Sequence, residues 1–189
     1  MYRHRPRHRA ARTLWRPPVG IVVLLLAWAA ILGLPAGAAN ANVYDFRWAK
    51  ATVCVEMHAS TRYPVKVAVH AWNESPDLRL IYQHDCSAYS QVIKVYSGWY
   101  GKAGWAARIA SWTISNSFLN SPVIIQLNNS YAWNYSWHSK AHLASHEIAH
   151  AIGEAHTTKC ASVVTTSCGY RYAFPTAYDY REIARLYPW

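Results

Sequence analysis

The chain has 189 residues, 52% hydrophobic and 15% charged, with 19 Lys and Arg against 9 Asp and Glu for a formal net charge of +10. Six of the arginines fall within residues 1–18, so residues 42–189 carry only 13 basic against 9 acidic side chains, a net +4. The remaining bases are scattered, with no Lys/Arg stripe and no aromatic–basic repeat, which excludes nucleic acid as the expected partner and leaves only a mild attraction to acidic surfaces.

Residues 1–41 are expected to be a signal peptide. Arg3, Arg5, Arg7, Arg9, Arg12 and Arg16 precede the apolar run Val19–Leu34, and Pro35 ends that run. Ala36-Gly37-Ala38 and Ala39-Asn40-Ala41 then fit the A-x-A cleavage pattern, placing the cut near residue 38 or 41. The run is shorter than the ~20 residues a bilayer-spanning helix needs, so export with cleavage is favoured over a retained anchor. The expected product is a secreted monomer with no stable membrane association, its residues 42–189 forming one domain with a single core.

Within that domain the β-branched run Thr52-Val53-Cys54-Val55 reads as a first strand. Pro64 then opens a helix whose Val65, Ala68, Val69 and Trp72 share one face, ending near Asn73–Pro76. Leu78–Tyr82 and Gln91–Tyr96 read as further strands, each between turn residues. A stretch punctuated by Gly98, Gly101 and Gly104 follows, and Pro122–Asn128 is the next strand, closed by an Asn-Asn turn. Ser139 is the expected N-cap of a helix over 140–152 that turns Leu143, Ile148 and Ile152 toward the sheet. Pro175–Pro188 carries a helical pattern that closes the domain. The eight Trp of residues 42–189 are expected in the core and in a cleft wall.

The long helix carries the most specific signal in the chain, His146-Glu147-Ile148-Ala149-His150-Ala151-Ile152-Gly153-Glu154-Ala155-His156, which reads H-E-x-x-H-x-x-G-x-x-H. Residues four apart share a helix face, so His146 and His150 can aim two imidazoles at one ion while Glu147 stands beside them. Gly153 falls where a left-handed residue is expected to end the helix, and the bend would return His156 as third ligand. Three protein ligands leave one tetrahedral position open, the arrangement of a catalytic Zn2+. His138 and His142 are expected to be solvent or cleft residues, and Glu154 a solvated position in the bend.

Cys54, Cys86, Cys160 and Cys168 all lie in the exported part, where an even count suggests disulfides. Three pairings are open. Cys54–Cys86 with Cys160–Cys168 is favoured, because the second pair closes a short loop directly after the histidine motif.

At this motif the chain resembles the metzincin metalloproteases, and in size it resembles a matrixin-like or small secreted bacterial metalloprotease domain. Gly101–Ala107, Ile124–Asn128, Cys160–Val164, Pro175, Asp179 and Leu186-Tyr187 follow in the family's order. The resemblance implies an α+β zincin domain: a mixed twisted sheet with an early helix, an active-site helix and a C-terminal helix. It implies a protein or peptide substrate bound extended along an edge strand, for which residues near Trp99–Arg108 are the candidates. It also places Val164 where the family has a methionine in a turn under the zinc, and Thr166 where some branches have a tyrosine, so no catalytic tyrosine is carried over. No room for a propeptide is expected between the cleavage site and the first strand.

These readings make the chain a secreted zinc endopeptidase, with Glu147 as general base on a zinc-bound water. The competing readings are another zinc amide hydrolase and a zinc-containing binding domain of weak activity.

Overall fold

The computed structural model describes residues 43–188, so the expected signal peptide lies outside the described residues. Five strands form one mixed sheet in the order β2-β1-β3-β5-β4. They are β1 (Thr52–His58), β2 (Arg79–Gln83), β3 (Val92–Gly98), β4 (Ala107–Ser115) and β5 (Phe118–Asn128). β2, β1, β3 and β5 run parallel, and only β4 is antiparallel, paired to β5 on the outside. Parallel strands covered on both faces read as continuous apolar runs, which is why Val53, Cys54, Val55 and Met57 of β1 are all buried.

The helices are α1 (Val65–Trp72), the single turn α2 (Asn129–Ala132), α3 (Trp137–Ala151) and α4 (Ala177–Leu186). The early, central and C-terminal helices are those expected from the apolar spacing. In α1 the predicted stripe Val65, Ala68, Val69 and Trp72 is the buried one. One core cluster joins it to the sheet, to Leu143, Ile148 and Ile152 of the central helix region, and to Ile183 and Leu186 of α4. Buried hydrogen bonds tie these layers to the end of α3: Trp48 Nε1 donates to the Ala151 carbonyl at 2.8 Å and the Tyr187 hydroxyl to that of Ile152 at 2.9 Å. They satisfy carbonyls that the helix end leaves without intrahelical partners.

Three expectations are corrected. The central helix begins three residues earlier than Ser139 suggests, because the Ser136 side chain accepts from the Ser139 backbone N–H and is the cap. The Asn-Asn turn is a helical turn, since the Asn128 side chain accepts from the Ser130 N–H and starts α2. The edge strand beside the histidine helix is β4, which takes in only Ala107 and Arg108 of the expected Trp99–Arg108. Its register shifts between Ile109 and Ser111 and between Ser111 and Thr113, and these bulges destroy the period-two alternation by which a strand is recognised. Its hairpin to β5 turns on Asn116 and Ser117, both at positive φ, in place of the usual Asn-Gly.

The disulfides are Cys54–Cys86 and Cys160–Cys168, the favoured pairing. The first closes a 32-residue separation and pins β1 to the segment after β2. A chain-entropy estimate for such a loop is about 3–4 kcal/mol. Cys54→Ser with Cys86→Ser should lower the unfolding free energy by about that amount, as read by urea denaturation.

Candidate metal centre

Helix α3 presents His146, Glu147 and His150 on one face, and the end of that helix is built to bring a third imidazole back. Gly153 has φ +103°, the Gly153 N–H donates to the His150 carbonyl at 3.1 Å, and the Glu154 N–H donates to the Ala149 carbonyl at 2.9 Å. Those two bonds are the paired closure of a Schellman motif with glycine in the left-handed position. A Cβ on Gly153 would also stand 2.7 Å from the Phe46 carbonyl oxygen. Gly153→Ala should therefore cost about 1–2 kcal/mol from the backbone conformation alone, with the clash in addition, and should displace His156. Urea denaturation together with bound-metal content reads both effects.

Beyond the bend, the three Nε2 atoms of His146, His150 and His156 form a near-equilateral triangle, 3.0 Å between His146 and His150 and 3.1 Å on the other two sides. The structure thus brings together the three predicted histidines, and a metal ion could be held between them.

The tautomers sharpen this. His146 Nδ1 donates to the Val163 carbonyl at 3.0 Å and His150 Nδ1 to the Glu154 carbonyl at 2.7 Å. A carbonyl only accepts, so each Nδ1 carries the ring proton and each Nε2 is a bare lone pair. Burial holds His146 well below the ordinary histidine range, and burial takes His150 down to about 4. His156 is also lowered by burial. The rings of His146 and His150 therefore turn bare Nε2 lone pairs toward each other at 3.0 Å, with His156 Nε2 3.1 Å from both, an arrangement that a cation between them would stabilise. For Zn–N bonds of about 2.0–2.1 Å, a regular tetrahedron has N···N edges of about 3.3 Å, so the triangle fits with a slight opening. His156 is exposed, and all three histidines line one cavity.

The carbonyls that orient the rings are themselves anchored. Asp179 completes a capping box with Thr176 at the start of α4, and its carboxylate also accepts from the Val163 N–H at 3.2–3.3 Å. Helix α4 thereby holds the segment whose carbonyl fixes His146. Val164 is fully buried in the core immediately after that segment, and its carbonyl accepts from the Thr157 N–H at 3.2 Å.

Glu154, expected in solvent, is fully buried. Its backbone pairs with Val43 and neither of its carboxyl oxygens has a hydrogen-bond partner among the described residues, so burial first, and then the nearby Asp179, hold that carboxyl well above the ordinary range. His142 is buried in the cleft wall, with Nδ1 2.7 Å from the Tyr172 carbonyl, and the exposed His138 contacts the Tyr170 carbonyl at 2.8 Å. Neither joins the triangle.

Glu147 is 5% exposed, and burial pushes its carboxyl up to about 8. Two adjoining cavities, of about 330 and 320 Å³, share Ala107, His146 and Glu147 in their walls. Trp105, Leu143 and Tyr170 line the first; Tyr44, Ile109, Trp112 and the other two histidines line the second. The wall opposite the histidine helix is thus the outer strand β4. Sequence reasoning missed Tyr44, Tyr170 and this strand, because each reaches the site through long-range packing that leaves no local pattern. Of the Trp residues, Trp48 and Trp72 are core and Trp105 and Trp112 cleft wall, whereas Trp99 and Trp137 are exposed.

No family model and no curated protein matches the chain. The fold does match a solved structure of myroilysin, with a TM-score of 0.50 at 14% identity, covering 78% of this chain and 98% of that one. A crystal structure of myroilysin gives 0.47 at 14% identity, with 80% and 93% covered. The chain thus shares its overall fold with myroilysin.

Proposed function

We propose that this protein is a secreted zinc-dependent endopeptidase of the metzincin type. The observation that carries the proposal is the triangle of three Nε2 atoms beside a buried carboxyl, at the foot of a cleft walled by a strand whose outer edge is unpaired among the described residues. The protease-like fold agrees with it.

A zinc ion bound by His146, His150 and His156 would supply positive charge that acidifies water and polarises a carbonyl. The remaining work belongs to the chain. Extended peptide added to the free edge of β4 would gain main-chain hydrogen bonds with little sequence preference. Glu147 would take the proton of the attacking water and return it to the leaving amine as the C–N bond breaks. Val164, in place of the family's methionine, would keep an apolar floor under the site. The cleavable leader and two disulfides support an exported protein, and among the described residues no helix is long and apolar enough to cross a membrane.

The test is a peptide library incubated with the zinc-loaded protein and analysed by mass spectrometry. Cleavage at internal amides supports an endopeptidase. Stoichiometric zinc with an uncut library contradicts it.

A further inference from the structure

Peptide hydrolysis places negative charge on the carbonyl oxygen as water adds, and a preorganised hydrogen-bond donor aimed at that oxygen is among the strongest contributions a site makes. The histidine motif contains no such donor, since its three rings are ligands and Glu147 is a base. Thr166, the position the family resemblance offered, lies in the loop after Val164 and carries no phenol. A donor must then reach the cleft from elsewhere in the chain.

The N-terminal segment supplies one. Tyr44 lines the same cavity as His146, Glu147, His150 and His156. Its backbone N–H donates to the Gly153 carbonyl at 2.8 Å, and Val43 bridges Glu154, so the segment is fastened to the bend that places His156. Its ring stacks on Phe46 at 4.7 Å and 9°, meets Trp112 edge-on at 5.4 Å, and lies 6.2 Å from the His150 ring. The ring is thus held on three sides, and its hydroxyl has no hydrogen-bond partner among the described residues. Burial, and then the nearby Glu147, hold the phenol above its ordinary value, so it stays a donor at neutral pH.

Two other donors of the cleft are engaged. The Arg108 guanidinium is bonded to Gln126 Oε1 at 2.9–3.1 Å and lies over the Trp105 ring. The Tyr170 hydroxyl interacts with Tyr135, and its ring rests on His142 at 4.5 Å in the neighbouring cavity.

Resting on the proposed endopeptidase reading, we infer that Tyr44 is a catalytic residue that donates a hydrogen bond to the substrate carbonyl oxygen as it becomes anionic. Water oxygen bonds to the carbonyl carbon, the water proton passes to Glu147 and on to the leaving nitrogen, and the C–N electron pair leaves with that nitrogen. The phenol keeps its proton throughout. It is a donor contributed by the first described residues of the chain, far in sequence from the histidine motif.

Tyr44→Phe keeps the ring stack and removes only the hydroxyl. In the zinc-loaded protein it should lower kcat about a hundredfold, with KM, zinc stoichiometry and thermal midpoint unchanged. A phosphinic peptide, whose tetrahedral anionic oxygen imitates the transition state, should bind the variant about a hundredfold more weakly. The corresponding amide peptide, measured in a Glu147→Gln background, should bind with and without the Tyr44 hydroxyl equally well. A kcat within twofold of the parent, or a loss shared equally by phosphinic and amide peptides, overturns the role of Tyr44 and leaves the endopeptidase reading standing. A parent protein that cuts no peptide overturns both.

Discussion

Glu147→Gln should lower kcat for peptide hydrolysis by about three to four decades while leaving zinc content unchanged, the upper part of the range for loss of a general acid–base group. Glutamine has the shape of glutamate and none of its capacity to accept a proton. Glu147 is not among the three converging ligands, so substituting it leaves the metal triangle intact. The comparison of turnover with zinc stoichiometry therefore separates the base from the ligands.

The same substitution has a second readout in the metal-free protein. Burial raises the Glu147 carboxyl from its ordinary 4.5 to about 8, so the folded chain holds a proton that the unfolded chain releases. Glu147 thus removes stability as pH rises from about 4.5 through 8, and that part of the loss should be absent from the Gln variant in urea denaturation at each pH.

The second large effect is loss of a ligand. Zinc binding free energies of about 10–16 kcal/mol in four-ligand sites amount to about 2.5–4 kcal/mol per ligand, or two to three decades in affinity. His150→Ala should therefore weaken zinc binding by at least that factor, because it also frees the Glu154 carbonyl from the ring it orients. Competition with a chelator of known affinity measures it. In the parent protein the rings are already unprotonated at neutral pH, His150 having been taken down to about 4. Burial lowers all three rings from the ordinary histidine value, so proton competition for the Nε2 lone pairs, and with it the decline in zinc affinity, should set in at a lower pH than at an unperturbed histidine site.

Legibility in the sequence followed the range of the interactions. β1, β2 and β3 could be read because buried parallel strands are short apolar runs between turn residues, and α1 because its stripe is regular. The three histidines and Glu147 were legible because helix geometry and one glycine place all of them within eleven contiguous residues. The cap of α3 was misplaced because Ser136 and Ser139 offer the same chemistry three residues apart, and only the geometry shows which hydroxyl accepts. β4 was illegible for a different reason: its bulges put the half-buried Ile109 and Trp112 three residues apart instead of two or four. Glu154 looked solvated because a lone glutamate in a bend usually is. Its burial depends on Val43 from one end of the domain and Asp179 from the other. Tyr44 entered the cleft by the same route.

The central claim is that His146, His150 and His156 hold a zinc on which peptide hydrolysis depends. Digestion of casein by purified residues 42–189 tests it most directly, measured before chelation, after chelation, and after restoring one equivalent of zinc. Digestion that stops on chelation and returns with zinc is the predicted result. Digestion that continues at an undiminished rate in the zinc-free protein would contradict the account.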